Sequence, residues 1–220
     1  PTRRSSDLVH KKIPVGFFSL EMSDQAIMQR LIAMESRTPS QKIRTGNLRP
    51  ADLASLMEAA SLIYEAPLYI SDTPSLKLLD LRAIARRMVS RLGVKIIFVD
   101  YITLIGAEDT SAPRHEQIAE ISRSLKAMAR ELQIPIVALS QVSRDAEGKQ
   151  PTLANIRESG SIEQDADVVL LLHRNRATGR REAEAGAQAE TELVIAKQRN
   201  GPVGTITIAF IEEYTKFEAL

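Results

Sequence analysis

Residues Ile96-Ile97-Phe98-Val99-Asp100 restrict the fold of this chain more than any other stretch. Four consecutive apolar residues leave no polar face, so a strand made of them is covered on both sides, as a parallel strand between layers of helices is. The run ends in a carboxylate, and open α/β sheets place their ligand chemistry at the carboxyl ends of strands. Three further apolar runs end in polar groups: Phe17-Phe18-Ser19-Leu20-Glu21, Ile136-Val137-Ala138-Leu139-Ser140-Gln141 and Leu193-Val194-Ile195-Ala196-Lys197. If all four belong to one sheet, their tips converge on one site furnished with groups suited to a phosphate.

A chain of 220 residues with 44% hydrophobic content can bury one substantial core, so a single domain is expected. With 29 basic against 28 acidic residues, bulk charge does not attract polyanions, and any nucleic-acid contact must come from local clusters. The absence of cysteine excludes disulfides, thiolate nucleophiles and cysteine-ligated metals, and His10, His115 and His173 have no zinc-binding spacing. No apolar run approaches the ~18 to 20 residues that cross a bilayer, and no signal-peptide pattern opens the chain, so a cytoplasmic protein without a membrane partner is expected. The first eight residues, Pro1-Thr2-Arg3-Arg4-Ser5-Ser6-Asp7-Leu8, resemble the translation of a DNA-sequencing adapter. A non-native stretch over 1–8 and native sequence from about Val9 are therefore expected; a natural polar arm is the alternative.

Local patterns predict alternating strands and helices. A strand over Pro14 to Met22 leads into a helix capped by Ser23, with Ile27, Leu31 and Met34 on one face. A short helix from Thr38-Pro39 closes at Gly46, and Pro50 opens another with Leu53, Leu56, Met57, Ala60 and Ile63 at helical spacing. Leu68 to Ile70 reads as a strand, Leu78 to Leu92 as an amphipathic helix stopped by Gly93, and Lys95 to Leu104 as the central strand. A helix from about His115 to Leu132 presents Ile118, Ile121, Leu125 and Met128, followed by a strand from Ile136 to Ser140. Ser143 to Glu163 is long and polar, Asp167 to His173 is a continuous apolar strand, and Arg174 to Glu190 is charged and expected to be mobile. Thr191 to Lys197 and Gly204 to Ile211 flank Asn200-Gly201-Pro202, which predicts an antiparallel hairpin at the end of the sheet. The βαβ alternation implies a parallel sheet with helices on both faces.

Each candidate group has two readings. Glu21 suits a general base that polarises a water attacking a γ-phosphate, and Asp100 suits the Walker-B carboxylate that holds Mg²⁺; either is also an ordinary N-cap or loop acid. Gln141 can sense a γ-phosphate with its amide or merely satisfy loop backbone. Lys197 and Arg199 alternate, so both point toward one anionic group; Arg199 suits an arginine finger, and the alternative is a charged edge strand. Arg157, Ser159 and Gly160 offer a guanidinium, a hydroxyl and open backbone N–H groups to a phosphodiester chain, or form a capped turn.

As a set, these blocks resemble the RecA-like motor domain of replicative DNA helicases of the bacterial DnaB type. The matching stretches are Phe18-Ser19-Leu20-Glu21-Met22-Ser23, Val99-Asp100-Tyr101, Leu139-Ser140-Gln141-Val142-Ser143-Arg144, Arg157 through Asp167, and Lys197-Gln198-Arg199-Asn200-Gly201-Pro202, in order from about Val9 onward. The resemblance implies a motor domain over 9–220 with a RecA-like P-loop NTPase core, a mostly parallel sheet flanked by helices and a C-terminal antiparallel hairpin. It implies ATP and Mg²⁺ as cofactors, and a ring-shaped homohexamer that closes ATP sites between subunits and draws single-stranded DNA through its centre, 5′ to 3′. A primase and a helicase loader are the partners it implies for the parent protein. It makes Glu21 the general base, Asp100 the Mg²⁺ carboxylate and Gln141 the γ-phosphate sensor. Lys197 and Arg199 would act on the next subunit's ATP, and Arg157, Glu158 and Gly160 would belong to a DNA-following channel loop. One departure stands out: the 220 residues contain no Gly-x-x-x-x-Gly-Lys-Ser/Thr phosphate loop, so they are expected not to hydrolyse ATP by themselves. A RecA-like recombinase or repair ATPase, and a folded fragment without catalysis, are the competing readings.

Overall fold

The run ending at Asp100 forms β3 (Ile96–Asp100) inside a parallel sheet of order β2-β1-β3-β4, with β1 at Val15–Ser19, β2 at Leu68–Ser71 and β4 at Ile136–Ala138. This computed structural model describes residues 11–143, 150–156, 160–174 and 188–220. The adapter-like stretch 1–8, Arg157 and Glu158, and most of the segment expected to be mobile lie outside them.

Helices occupy the predicted places: α1 (Asp24–Ser36), α2 (Ser40–Thr45), α3 (Pro50–Tyr64), α4 (Leu78–Leu92) and α5 (Arg114–Leu132). Ser23 caps α1 by accepting the Ala26 N–H at 3.3 Å. Gly46 and Gly93 end α2 and α4 with φ of 71° and 67°, a left-handed backbone that costs glycine nothing. On α5, Ile118, Ile121, Leu125 and Met128 are all buried, as their spacing predicts. They join Leu81, Ala85 and Met88 of α4 over Phe18, Ile97 and Val99, one face of the parallel sheet. Fully burying side chains of this size contributes about 1.5 to 3 kcal/mol each, so this layer is the main core. Gly16 lies under the same layer; a Cβ there would stand 3.0 Å from the Met88 sulfur.

Several boundaries differ from expectation. β1 stops at Ser19, because the Ser19 hydroxyl donates to the Met22 carbonyl at 2.6 Å and turns the chain; Glu21 therefore lies beyond the strand, exposed. β3 stops at Asp100, after which the Asp100–Tyr101 peptide is cis and Ile102–Leu104 form a 3₁₀ turn tied to the neighbouring strand by Ile102 N–H to Leu139 C=O at 2.9 Å. On α3 the buried positions are Ala59 and Ile63, whereas Leu53 and Met57 are exposed. The sheet is covered unevenly: Ile97 and Val99 are buried, and Ile96 and Phe98 on the opposite face only partly so.

The largest difference is that the four apolar runs do not share a sheet. β5 (Val168–His173), β6 (Gln188–Gln198), β7 (Gly204–Ile211) and β8 (Lys216–Ala219) form a second, antiparallel sheet in that order. β6 and β7 pair from Gln188↔Ile211 to Ile195↔Gly204, which confirms the hairpin. Yet β6 also pairs with β5, so the strand carrying Lys197 is committed to this sheet on both sides. β5 is apolar throughout but covered on one face only: Val169 and Leu171 pack with Ile156, Leu153 and Ile162, while Val168, Leu170 and Leu172 are half exposed. Between the sheets, the polar stretch after Ser143 contains an unexpected short helix, α6 (Gly160–Asp165), whose Ile162 packs into both cores. β8 was not expected either. Its Lys216 is buried and paired with Glu218 at 3.2 Å, and Glu218 also accepts from Arg37 at the end of α1 at 2.9 Å. No helix among the described residues is long and apolar enough to cross a membrane.

Candidate functional site

Parallel strands all end at one edge, and β1, β3 and β4 bring Glu21, Asp100 and Gln141 to the same edge of the first sheet. Ser19 pairs with Asp100 and Val99 with Ala138, so the three chain exits lie side by side. The turn after β1 is fastened to β3 by Leu20 N–H to Asp100 C=O at 2.8 Å, and the segment after β4 by Leu139 N–H to Val99 C=O at 2.9 Å.

Asp100 is half buried, and its carboxyl is held above the usual carboxylate range. Burial is the main cause and the negative charge of Glu21 the second, while Arg30 of α1 opposes both. Glu21 and Asp100 are thus close enough to repel each other. A cation between them relieves the repulsion, which makes the pair a fit for Mg²⁺. Among the described residues no group of three acidic, histidine or cysteine side chains can enclose a metal. Ser140 adds a buried hydroxyl with no partner among the described residues, next to the exposed Gln141. Sequence reasoning missed Arg30: nothing in its spacing shows that α1 folds it back toward Asp100.

Lys197 and Arg199 point together, as their alternation predicts, but at the end of the other sheet. Lys197 Nζ donates to the carbonyls of Glu163 and Gln164 at 2.5 and 3.3 Å, and Arg199 donates to the Gln164 carbonyl at 2.8 Å. What they face within the chain is therefore the carbonyl end of α6, whose partial negative charge favours cations. Nothing in the described contacts links either residue to Glu21 or Asp100. Arg199 also meets the Asp167 carboxylate, Nε to Oδ1 at 3.6 Å, and Asp167 in turn binds Lys126 of α5. The Asp167 carboxyl is held below its ordinary range, chiefly by the Lys126 hydrogen bond and further by the charges of Arg199 and Arg130. Asp167 was read in sequence as part of a matching block and as the start of a strand, with no contact assigned to it. Of the loop residues, Gly160 is exposed at the first position of α6, and Arg157 and Glu158 are outside the described residues.

Comparison with known proteins identifies the family and the fold. Residues 4–219 match the profile of the DnaB-like helicase C terminal domain. The chain is similar to the replicative DNA helicase DnaB of Treponema pallidum, 53% identical over 216 residues, covering 98% of this chain and 47% of that protein. To the DnaB of Geobacillus stearothermophilus it is 46% identical, covering 92% of this chain and 45% of the relative. The chain therefore spans about half the length of these relatives. Among solved structures, one described as an ATPase domain superposes with a TM-score of 0.88 at 34% identity, covering 96% of this chain and 76% of that one. A DnaB-like replicative helicase described with its interactions with primase superposes with a TM-score of 0.89 at 33% identity, over 98% of this chain and 54% of that one.

Proposed function

The chain belongs to the DnaB-like helicase C-terminal domain family, and from that membership we propose that it is the motor part of a replicative helicase, coupling ATP hydrolysis to 5′ to 3′ movement along single-stranded DNA. The observation that carries the reading is the Glu21–Asp100 pair at the exits of neighbouring parallel strands, with Gln141 at the third exit. Asp100 would hold Mg²⁺, which when bound neutralises charge on the β and γ phosphates. Glu21, exposed and so within reach of a water, takes the proton of the attacking nucleophile. Gln141 donates its amide to the γ-phosphate.

Lys197 and Arg199 serve the ATP of a neighbouring subunit in a homohexameric ring. Both lie at the end of β6 in the antiparallel sheet, whereas Glu21 and Asp100 lie at the exits of the parallel one, which supports this. Arg157, Glu158 and Gly160, just ahead of and within α6, follow the DNA backbone. A primase and a loader are partners of the whole protein, whose cytoplasmic location follows from replication of bacterial DNA. The 220 residues carry no phosphate loop, so by themselves they turn over no ATP.

The test is Arg199→Ala in the full-length protein. DNA-stimulated ATPase activity is expected to fall by roughly 10³-fold or more, the usual worth of an arginine finger, with nucleotide affinity nearly intact. Normal turnover would remove the intersubunit assignment.

A further inference from the structure

Asp167 stands between the two halves of the molecule. Its carboxylate takes Lys126 from α5, which packs on the parallel sheet, on one oxygen, and faces Arg199 at the end of β6 on the other, at 3.6 Å. Its backbone carbonyl also accepts the Arg199 N–H at 2.9 Å. Arg199 is thus held at three points: by its own N–H, by its Nε side toward Asp167, and by its terminal nitrogen on the Gln164 carbonyl. Arg130, one turn beyond Lys126, adds a third positive charge facing the same carboxylate. A long, exposed guanidinium without such anchors samples many rotamers, and a group that must meet a phosphate on another subunit loses rate with each misplaced conformer.

We propose that Asp167 is a positioning residue for the intersubunit finger: the Lys126–Asp167 pair fixes the direction from which the Arg199 guanidinium leaves this subunit. It rests on the assignment of Arg199 above. Asp167 itself touches no phosphate. Its carboxylate orients Arg199 before a neighbour's nucleotide arrives, and Lys126 keeps that carboxylate in place by tying it to the helix over the other sheet. The finger's aim is thereby referred to the sheet that carries the subunit's own ATP site.

Asp167→Asn in the full-length protein retains the shape and removes the charge. The expected result is a roughly tenfold drop in kcat for DNA-stimulated ATP hydrolysis, with KM for ATP and the melting temperature little changed. The discriminating measurement uses mixed rings. Asp167→Asn subunits assembled with Glu21→Gln subunits should exceed the activity of either separate assembly, because a site with an intact Glu21 then faces an intact Asp167. A defect confined to the altered subunit's own site gives no such recovery and overturns the proposal, as does an unchanged kcat. Should Asp167→Asn fail to fold, Lys126→Gln frees the same carboxylate and should lower kcat in the same way; a normal kcat there also overturns it. Arg199→Ala subunits mixed with Glu21→Gln subunits are the control: failure of that pair to recover activity refutes the finger itself, whereas its recovery without recovery of the Asp167 pair refutes only the positioning role.

Discussion

Asp100 was legible from its place after four apolar residues, and its environment now carries a consequence for stability. Its carboxyl binds a proton more tightly in the folded chain than its ordinary value of 3.8 implies. Its contribution to stability therefore falls as pH rises from that value through the folded one, and at neutral pH a penalty remains. Asp100→Asn should raise the melting temperature at pH 7 by about 1 to 3 °C, while DNA-stimulated ATPase of the full-length protein is lost. A lower melting temperature would mean that the carboxylate is stabilised where it sits. Glu21 lies near Asp100 but not at a strand end, since the Ser19 hydroxyl bond that turns the chain leaves no periodic trace. Arg30 escaped notice for a related reason, since its effect on Asp100 comes from what folds against it and not from its neighbours in sequence.

Among the elements, those with a clear period and a capping residue were readable almost to the residue. α4 begins and ends where its amphipathic pattern and Gly93 predict, and the four buried apolar side chains of α5 are those at helical spacing. α6 and β8 were not readable, because α6 lacks the closing glycine that marked α2, of equal length, and β8 lacks the apolar run that marked β2. β8 owes its place to tertiary contacts instead. Buried Lys216 pairs with Glu218, which also receives Arg37 from α1. Removing the shared carboxylate leaves an ammonium buried without its partner, which is costlier than losing an exposed pair. Glu218→Ala should lower unfolding free energy by roughly 1 to 3 kcal/mol in urea titrations. Arg37→Ala, at an exposed position, should cost under about 1 kcal/mol. Equal losses would show that the Lys216 partnership contributes little.

At the scale of the whole molecule, the α/β class and the parallel core followed from the sequence, and the division into two sheets did not. Hydrophobic periodicity reports which face of a strand is covered but not which strand lies beside it, so β5 read as a continuous apolar strand with no partner assigned. In the fold, Leu170 pairs with Ile195, Leu172 with Leu193, and Leu193 with Ile206, which sets these side chains together on one face of the antiparallel sheet. Val168, Leu170, Leu172 and Ile206 are about half exposed. A face of this kind, exposed to water, binds other apolar surfaces. The 220 residues prepared alone should enhance the fluorescence of an anionic naphthalene dye and scatter light increasingly above about 10 µM, and Leu170→Lys with Leu172→Lys should suppress both. A monodisperse solution with no dye response at ~100 µM would contradict this. The practical consequence expected is that the isolated chain is limited by crowding before it is limited by heat: cloudiness should depend on how much is dissolved and should appear at temperatures where each molecule is still folded.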